Sequence, residues 1–555
     1  MEAKRFRIPN RDVKLTGAEV AVTRTRAFQR LFYLKQLGLA HLVYPCATHT
    51  RAGHSIECLD EANKILASVN VTEAQDGWHE VRMAALLHDM SHVPFSHTME
   101  DENQVLPKHD AGLRVDRVLK SLSDEIDSED ARGLIERAKP ILLAISSKDD
   151  GEHDWRSDLV GNTVCADLLA YITTDAAWTG IEKRPGYYRI YDYFTVAEKP
   201  SGPGVAKKRL CIRLTKGGLR PDIVSAILDL LDMRYALTER VVFHHAKAMA
   251  SAMLARAARL ADLHDDPILL TMGDEGFLDY LQAKATELGA SEKGKGAQTL
   301  LYHLRSRRLY KRIFKIQRQA MVEWDKSMSK SENDTFCSKW RDAATVEGML
   351  CSIEKQFSLP LGTLVLWCPD GKSGMKLVRA NVTWEQGPGW HDPVELRSKD
   401  VKRQFPGVHQ RVATIEDQYF DLWTFWIGIN PQYVEQAAAV NDALRTELQI
   451  DCDRVFIDTY AIPRLPGFAK GYNTFGTVER TWKTEYAPEV FGRVSAIAAR
   501  PNTTVDGSVV GKAIRAVSDE KAKPPKKGSE HKALGEGGLL EPLEPEEKEK
   551  KQDSE

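Results

Sequence analysis

Imidazoles crowd one stretch of this chain: His88, His92, His97 and His109 follow one another closely, with Asp89 beside the first and with Arg51 and His54 placed ahead of them. Neutral imidazoles and carboxylates bind borderline and hard divalent ions such as Mn, Fe, Zn or Ni, and no nearby thiolate pair biases the set toward a structural zinc site. An ion with an open position acidifies a bound water and polarises a phosphoryl oxygen. Arg51 offers a planar, permanently charged fork to phosphate oxygens. His92 and His109 titrate near neutrality and suit proton transfer to a leaving group. The chemistry this predicts is metal-assisted hydrolysis of a phosphate ester.

The elements that hold these groups decide whether they converge, because His-Asp also occurs at 109–110, 153–154, 264–265 and 391–392. Ahead of His88, the residues Val81, Ala84, Ala85 and Leu87 repeat at helical spacing, so His88 and Asp89 arrive at the end of a buried helix. An isolated buried His-Asp pair is most often a structural hydrogen bond. Three further features favour a site. His54 stands at the start of an amphipathic run through Ile56, Leu59, Ala62, Ile65 and Leu66. A helical segment expected over 158–174 places Asp167 in an apolar stripe with Val160, Val164, Leu168 and Tyr171, with Asp175 one step beyond. Pro94 then ends the His88 helix and folds His92 and His97 back toward the same place.

The ordered blocks TRAFQRLFYLKQLG (25–38), YPCATHTRAGHS (44–55), HDMSHVPFSH (88–97), DLLAYITTDAAWTGI (167–181), MRYAL (233–237) and RRLYK (307–311) are more specific than any single motif. Over about residues 10–314 the chain resembles the HD-domain deoxynucleoside triphosphate triphosphohydrolases, more closely their sterile-alpha-motif-and-HD-domain branch than the dGTPase-like one. The resemblance implies that His54, His88, Asp89 and Asp167 hold the metal, that His92 and His109 are catalytic, and that Asp110 orients His109. It further implies that Arg51 and Arg234 contact phosphate and that Gln36, Leu37, His97, Tyr171 and Asp175 surround the substrate. It implies a dNTP substrate, with Mg on its phosphates, and a deoxynucleoside and inorganic tripolyphosphate as products. A regulatory nucleotide would meet Gln29, Arg213, His244, Arg307 and Lys311. Arg24 and Phe32 stand where relatives recognise a guanine activator, and Val242 and His245 replace a tyrosine and a lysine beside His244, which argues for altered activator specificity. A homo-oligomer, tetramer or hexamer, is also implied. So few residues precede the first block that no sterile-alpha-motif domain is expected ahead of it. The same ligand pattern serves two other functions: an HD-type nuclease or cyclic-nucleotide phosphodiesterase, or a non-catalytic sensor of nucleotides or nucleic acid.

At 555 residues the chain exceeds what one hydrophobic core serves. The expected fold is mainly α: a helical catalytic region over 1–326, a smaller α+β lobe over 335–517 for assembly or regulation, and a disordered charged tail over 518–555. A net charge of −2 argues against a dedicated polyanion-binding protein, leaving at most weak single-stranded nucleic-acid binding. The basic run 305–312 reads either as a solvated helix face or as a nucleotide contact. Strands are expected at 210–214, 363–368, 376–384, 422–429 and 454–459, with a helix over 433–448. Trp384, Trp390, Trp423 and Trp426 read as core or interface anchors before base-stacking platforms. The cysteines form no CxxC pair, no run reaches membrane-spanning length, and the start lacks a secretory apolar segment, so a cytoplasmic enzyme is expected.

Overall fold

The computed structural model describes residues 3–448 apart from 9–10, 76, 148–151, 183–185, 203–204, 318–337 and 370–378. The chain divides into Met1–Val478 and Glu479–Glu555, and everything described lies in the first unit. The strand expected at 454–459 and the tail at 518–555 lie outside the described residues.

Helices dominate, as the periodicity predicts. An amino-terminal hairpin, β1 (Lys4–Ile8) and β2 (Arg11–Leu15), leads into α1 (Gly17–Thr23) and α2 (Arg26–Gln29). Further helices follow: α3 (Arg51–Ser68), α4 (Trp78–Leu87), α5 (Gly112–Glu125), α6 (Glu129–Ser146), α7 (Trp155–Gly161) and α8 (Ala166–Thr179). Local chemistry sets their ends. Thr50 caps α3 by accepting the Gly53 N–H. Glu80 reaches back to the Gly77 N–H at 2.9 Å to start α4. Gly77 has φ +95°, and a Cβ there would meet the Trp155 ring at 3.1 Å. The single helix expected over 158–174 is instead two: α7 ends at Gly161, a Cβ on which would lie 2.4 Å from Ile145, and Asn162 to Cys165 turn before α8 begins. Asp167 therefore sits in the first turn of a new helix.

After β3 (Phe194–Gly202) and β4 (Val205–Arg213) come α9 (Pro221–Leu237), α10 (His245–Leu260), α11 (Asp274–Glu287) and α12 (Glu292–Arg305). The helical character expected to about residue 326 stops earlier, because β5 (Lys311–Gln317) buries Ile313, Phe314 and Ile316 in a sheet. The basic run is thus no helix face: Arg305 ends α12, Arg307 turns with φ +52°, and Lys311 and Arg312 open β5.

Beyond lie α13 (Ala343–Gln356), β6 (Leu364–Trp367), β7 (Asn381–Thr383), the ribbon β8 (Glu385–Gln386) and β9 (Gly389–Trp390), and β10 (Val394–Glu395). They are followed by α14 (Lys399–Gln404), α15 (Pro406–Asp421), β11 (Thr424–Ile429) and α16 (Ala437–Leu448). Of the strand expected over 376–384, the described part is β7. Residues on either side of the expected 326/335 boundary share both larger sheets: β7 runs parallel to β4 in the order β10-β7-β4-β3, and β11 lies between β5 and β6. Trp384, Trp423 and Trp426 are buried, as core residues should be, and Trp390 is exposed on the ribbon. Among the described residues no helix is long and apolar enough to cross a membrane.

Candidate metal centre and active site

Three elements deliver the expected ligands to one point. His54 projects from the first turn of α3, His88 from the end of α4 with Asp89 beside it, and Asp167 from the first turn of α8. The His54 and His88 Nε2 atoms are 3.2 Å apart, and Asp167 Oδ1 lies 3.1 Å from the first and 3.8 Å from the second. Asp89 closes the set, with Oδ1 at 3.4 Å from His88 Nε2 and Oδ2 at 3.7 Å from His54 Nε2.

The donors fit a divalent ion. His88 Nδ1–H donates to the Ala85 carbonyl at 2.7 Å, which leaves Nε2 of the neutral ring with a bare lone pair aimed at His54. Donors bound to one ion at ~2.0–2.2 Å stand roughly 3–3.6 Å apart, close to these separations. The potential is also right for a cation. Burial opposes a charged His88, yet the carboxylates of Asp89 and Asp167 outweigh it and push that imidazole well above its ordinary pKa. Burial alone would raise the Asp89 and Asp167 carboxyls, but Arg51 and His88 for the first, and His54 and His88 for the second, hold both below the usual carboxylate range. Cys58, one turn after His54, stays a thiol because burial pushes its pKa up.

Beside this cluster stands a second one. His92 and His109 stack with ring centroids 3.6 Å apart, and each Nδ1 lies 3.0 Å from the same oxygen, Glu100 Oε2. The other oxygen of Glu100 takes the Val93 N–H at 3.3 Å and Arg114 Nη1 at 3.4 Å. The two rings end up different. Burial lowers the His92 pKa to about 4, with Arg51 and His109 adding to the effect. For His109 the bond to Glu100 overcomes burial and raises it. At neutral pH one ring is a neutral acceptor and its partner holds a proton readily.

Arg51 joins the clusters. It is buried, ion-pairs with Asp89 through Nη1, and donates from Nε to Ser96 Oγ at 2.7 Å, while Nη2 has no partner. Phe95 and Ser96 take φ of +57° and +44°, a strained turn for side chains larger than glycine, and thereby place Ser96 on Arg51. Arg30 secures the same turn from beneath, donating to the His92 and Met90 carbonyls at 2.9 and 2.8 Å.

Other expected residues are met in part. His97 lies at the solvent edge, its ring 4.8 Å from His92 and its Nδ1 bonded to Asp101 at 2.7 Å. Tyr171, one turn beyond Asp167 on α8, places its ring centroid 6.4 Å from His54. Asp175 accepts from His49 Nε2 at 2.8 Å, and that ring stacks on Trp178. Gln36, with Leu37 beside it, donates its backbone N–H to the His49 carbonyl and keeps a buried Oε1 without a partner. Arg234 is buried with its guanidinium 5.7 Å from the Tyr419 ring. One expectation needs correction: Asp110 makes no hydrogen bond to His109 and acts on it only at longer range, because Glu100 occupies Nδ1. Glu100 lies within Met-Glu-Asp-Glu (99–102), which in sequence reads as a solvated loop, and only its burial reveals it.

His244, of the expected regulatory set, lines a cleft of about 350 Å³ with Tyr44, Arg240, His245, Arg312 and Trp426. Lys311 precedes Arg312 on β5, whereas Arg307, Arg213 and Gln29 bond to the carbonyls of Leu42, Asp192 and Thr23.

No family model matches the chain. Over 313 residues it is 28% identical to the deoxynucleoside triphosphate triphosphohydrolase SAMHD1 homolog of Dictyostelium discoideum, covering 53% of this chain and 56% of that protein. It is 23% identical over 358 residues to Gallus gallus SAMHD1, covering 55% of each. An HD domain-containing protein of Acanthamoeba polyphaga mimivirus is 34% identical over 106 residues, 16% of this chain and 23% of that one. The fold is that of a phosphohydrolase from Bacteroides thetaiotaomicron, with a TM-score of 0.52 at 16% identity over 77% of this chain and all of that one. These relatives support an HD-domain, dNTPase-like family at modest identity. The chain spans about half the length of the dNTPase relatives it matches. These relatives, together with the His54, His88 and Asp167 cluster that could hold a metal ion, support a metal-dependent hydrolase of HD type.

Proposed function

We propose that this HD-type hydrolase cleaves dNTPs at the α-phosphorus to a deoxynucleoside and inorganic tripolyphosphate. The observation that carries the reading is the contact between the two clusters: His92 Nε2, buried and without a hydrogen-bond partner, stands 3.4 Å from Asp89 Oδ1, so the proton-carrying pair faces the ligand set directly. When bound at His54, His88, Asp89 and Asp167, a divalent ion such as Mn, Fe, Zn or Ni supplies a Lewis acid to the phosphoryl group and an acidified water. Arg51 Nη2 is the unsatisfied donor that meets a phosphate oxygen. His92, held neutral by burial, accepts a proton at Nε2. His109, its proton retained by Glu100, donates one to the departing sugar oxygen. The names of the dNTPase relatives support the substrate class.

Ion chromatography after incubation with Mn or Mg and dNTPs, singly and mixed, tests this. Deoxynucleoside with tripolyphosphate is expected. A nucleoside monophosphate, or cleavage of nucleic acid or cyclic nucleotide alone, would transfer the same site to the nuclease or phosphodiesterase reading. Activity confined to mixtures would support an activating nucleotide in the His244 cleft, where Arg240 and Arg312 offer charge and Tyr44 and Trp426 offer aromatic faces, within a homo-oligomer.

Tyr171 lies on the same α8 face as Asp167 and Asp175, next to the metal set, and there it would exclude a 2′-hydroxyl sterically. dATP should therefore turn over at least roughly tenfold faster than ATP, a discrimination of about 1.4 kcal/mol. Equal rates would remove this role for Tyr171.

A further inference from the structure

Glu100 holds both catalytic histidines, yet it stands in a loop with little regular structure, between the short helical turn Ser96–Thr98 and α5. The Val93 N–H and Arg114 meet its carboxylate directly, and the residues just after it show what holds the loop itself. The Asp101 carbonyl accepts from Arg341 Nη2 at 2.7 Å, and the same guanidinium donates through Nη1 to the Cys368 carbonyl at 3.2 Å, just past β6. Glu102 ion-pairs with Lys247, and the Asn103 carbonyl accepts from Arg259 Nη2 at 2.5 Å. The loop is pinned at three successive residues by cations from α10 and from the segment preceding α13.

Lys247 is the informative member. Its side chain is only 5% exposed and lies in the first turn of α10, where the helix dipole disfavours a cation and burial adds a desolvation cost. A lysine is stable there only with an anion against it. Glu102 is that anion, two residues from Glu100. Helix stability alone would be served better by an apolar residue, so the pair is explained by what it fixes.

We infer that Lys247 and Arg341 are positioning residues: acting through Glu102 and the Asp101 carbonyl, they set the Glu100 carboxylate against His92 and His109, and turnover requires both. The inference rests on the proposed roles of His92 and His109. It also gives α10 a double duty, since His244 and His245 at its start line the cleft and Lys247 grips the catalytic loop.

The test uses the full chain and the variants Lys247→Met, Arg341→Met and the charge exchange K247E/E102K. Each single variant is expected to lower kcat by roughly 10- to 100-fold with KM within about threefold and the bound metal unchanged, because misplacing a catalytic group acts on the transition state. The exchange should recover most of the Lys247→Met loss, which a purely structural defect would not allow. Rates are measured on dNTPs and on bis(4-nitrophenyl) phosphate: a wild type active only on the diester would defeat the dNTP reading and still report the clamp. Amide hydrogen exchange over residues 97–104, read without substrate, should quicken in both single variants. Wild-type kcat in both, unchanged exchange there, or a kcat that falls only with the folded or metal-loaded fraction would overturn the inference.

Discussion

Asp167→Ala should empty the metal site and lower turnover by roughly a thousandfold or more, about 4 kcal/mol or more of lost transition-state stabilisation. Asp167 Oδ1 forms a triangle with the two Nε2 atoms, at 3.1 Å from His54 and 3.8 Å from His88. It is the one ligand supplied by α8, so without it the set is confined to α3 and the end of α4. Its side chain is 29% exposed, and alanine suits a helix, so the fold should survive with circular dichroism unchanged. Metal analysis beside kinetics checks this. Full activity in metal-depleted protein would sink the metal assignment, and loss of metal with the fold intact would support it.

Glu100→Gln should retain the metal and lose roughly 10²- to 10³-fold in kcat near neutral pH, the usual worth of a positioned proton donor. The carboxylate accepts from both imidazole Nδ1 atoms through one oxygen and from Val93 and Arg114 through the other. An amide has a single acceptor oxygen, so either orientation sets an NH₂ against other donors, at about 1–3 kcal/mol of stability. The pH dependence follows from the raised His109. With Glu100 present its folded pKa lies above the unfolded value of ~6.5, so the bond stabilises the fold fully below that pH and is lost as pH rises through the folded value. Acting as an acid, His109 also sets the alkaline limb of turnover, and removing the carboxylate should move that limb to lower pH. His92, already near 4, stays neutral in both proteins. An unmoved limb would take the donor role from His109, and loss of metal from the variant would mean that Glu100 supports the ligand set instead.

Much of this was legible in the chain. The helical spacing ahead of His88, the helix start at His54 and the apolar stripe around Asp167 placed the ligands on elements whose ends meet, because a buried face fixes which way a helix points. Of the expected stripe, Asp167, Leu168 and Tyr171 share α8, since the break falls before Asp167, while Val160 lies on α7 and Val164 in the turn between them. Where burial depended on distant partners, local pattern misled. The basic run 305–312 was compatible with a helix face, and it became a helix end, a turn and a strand because β11 waits more than a hundred residues later to pair with β5.

By itself the sequence determined the types and order of the side chains expected as ligands and the helical character around them, since these follow from side-chain chemistry and from periodicity within single elements. Only the tertiary structure decided which carboxylate serves the histidines. Asp110 adjoins His109 along the chain, but Glu100 reaches both rings because Arg114 neutralises its second oxygen and because Lys247, Arg259 and Arg341 fix the loop behind it. An acidic run on a loop looks alike whether solvated or buried. What separates the two cases is the set of cations that the rest of the fold brings to it.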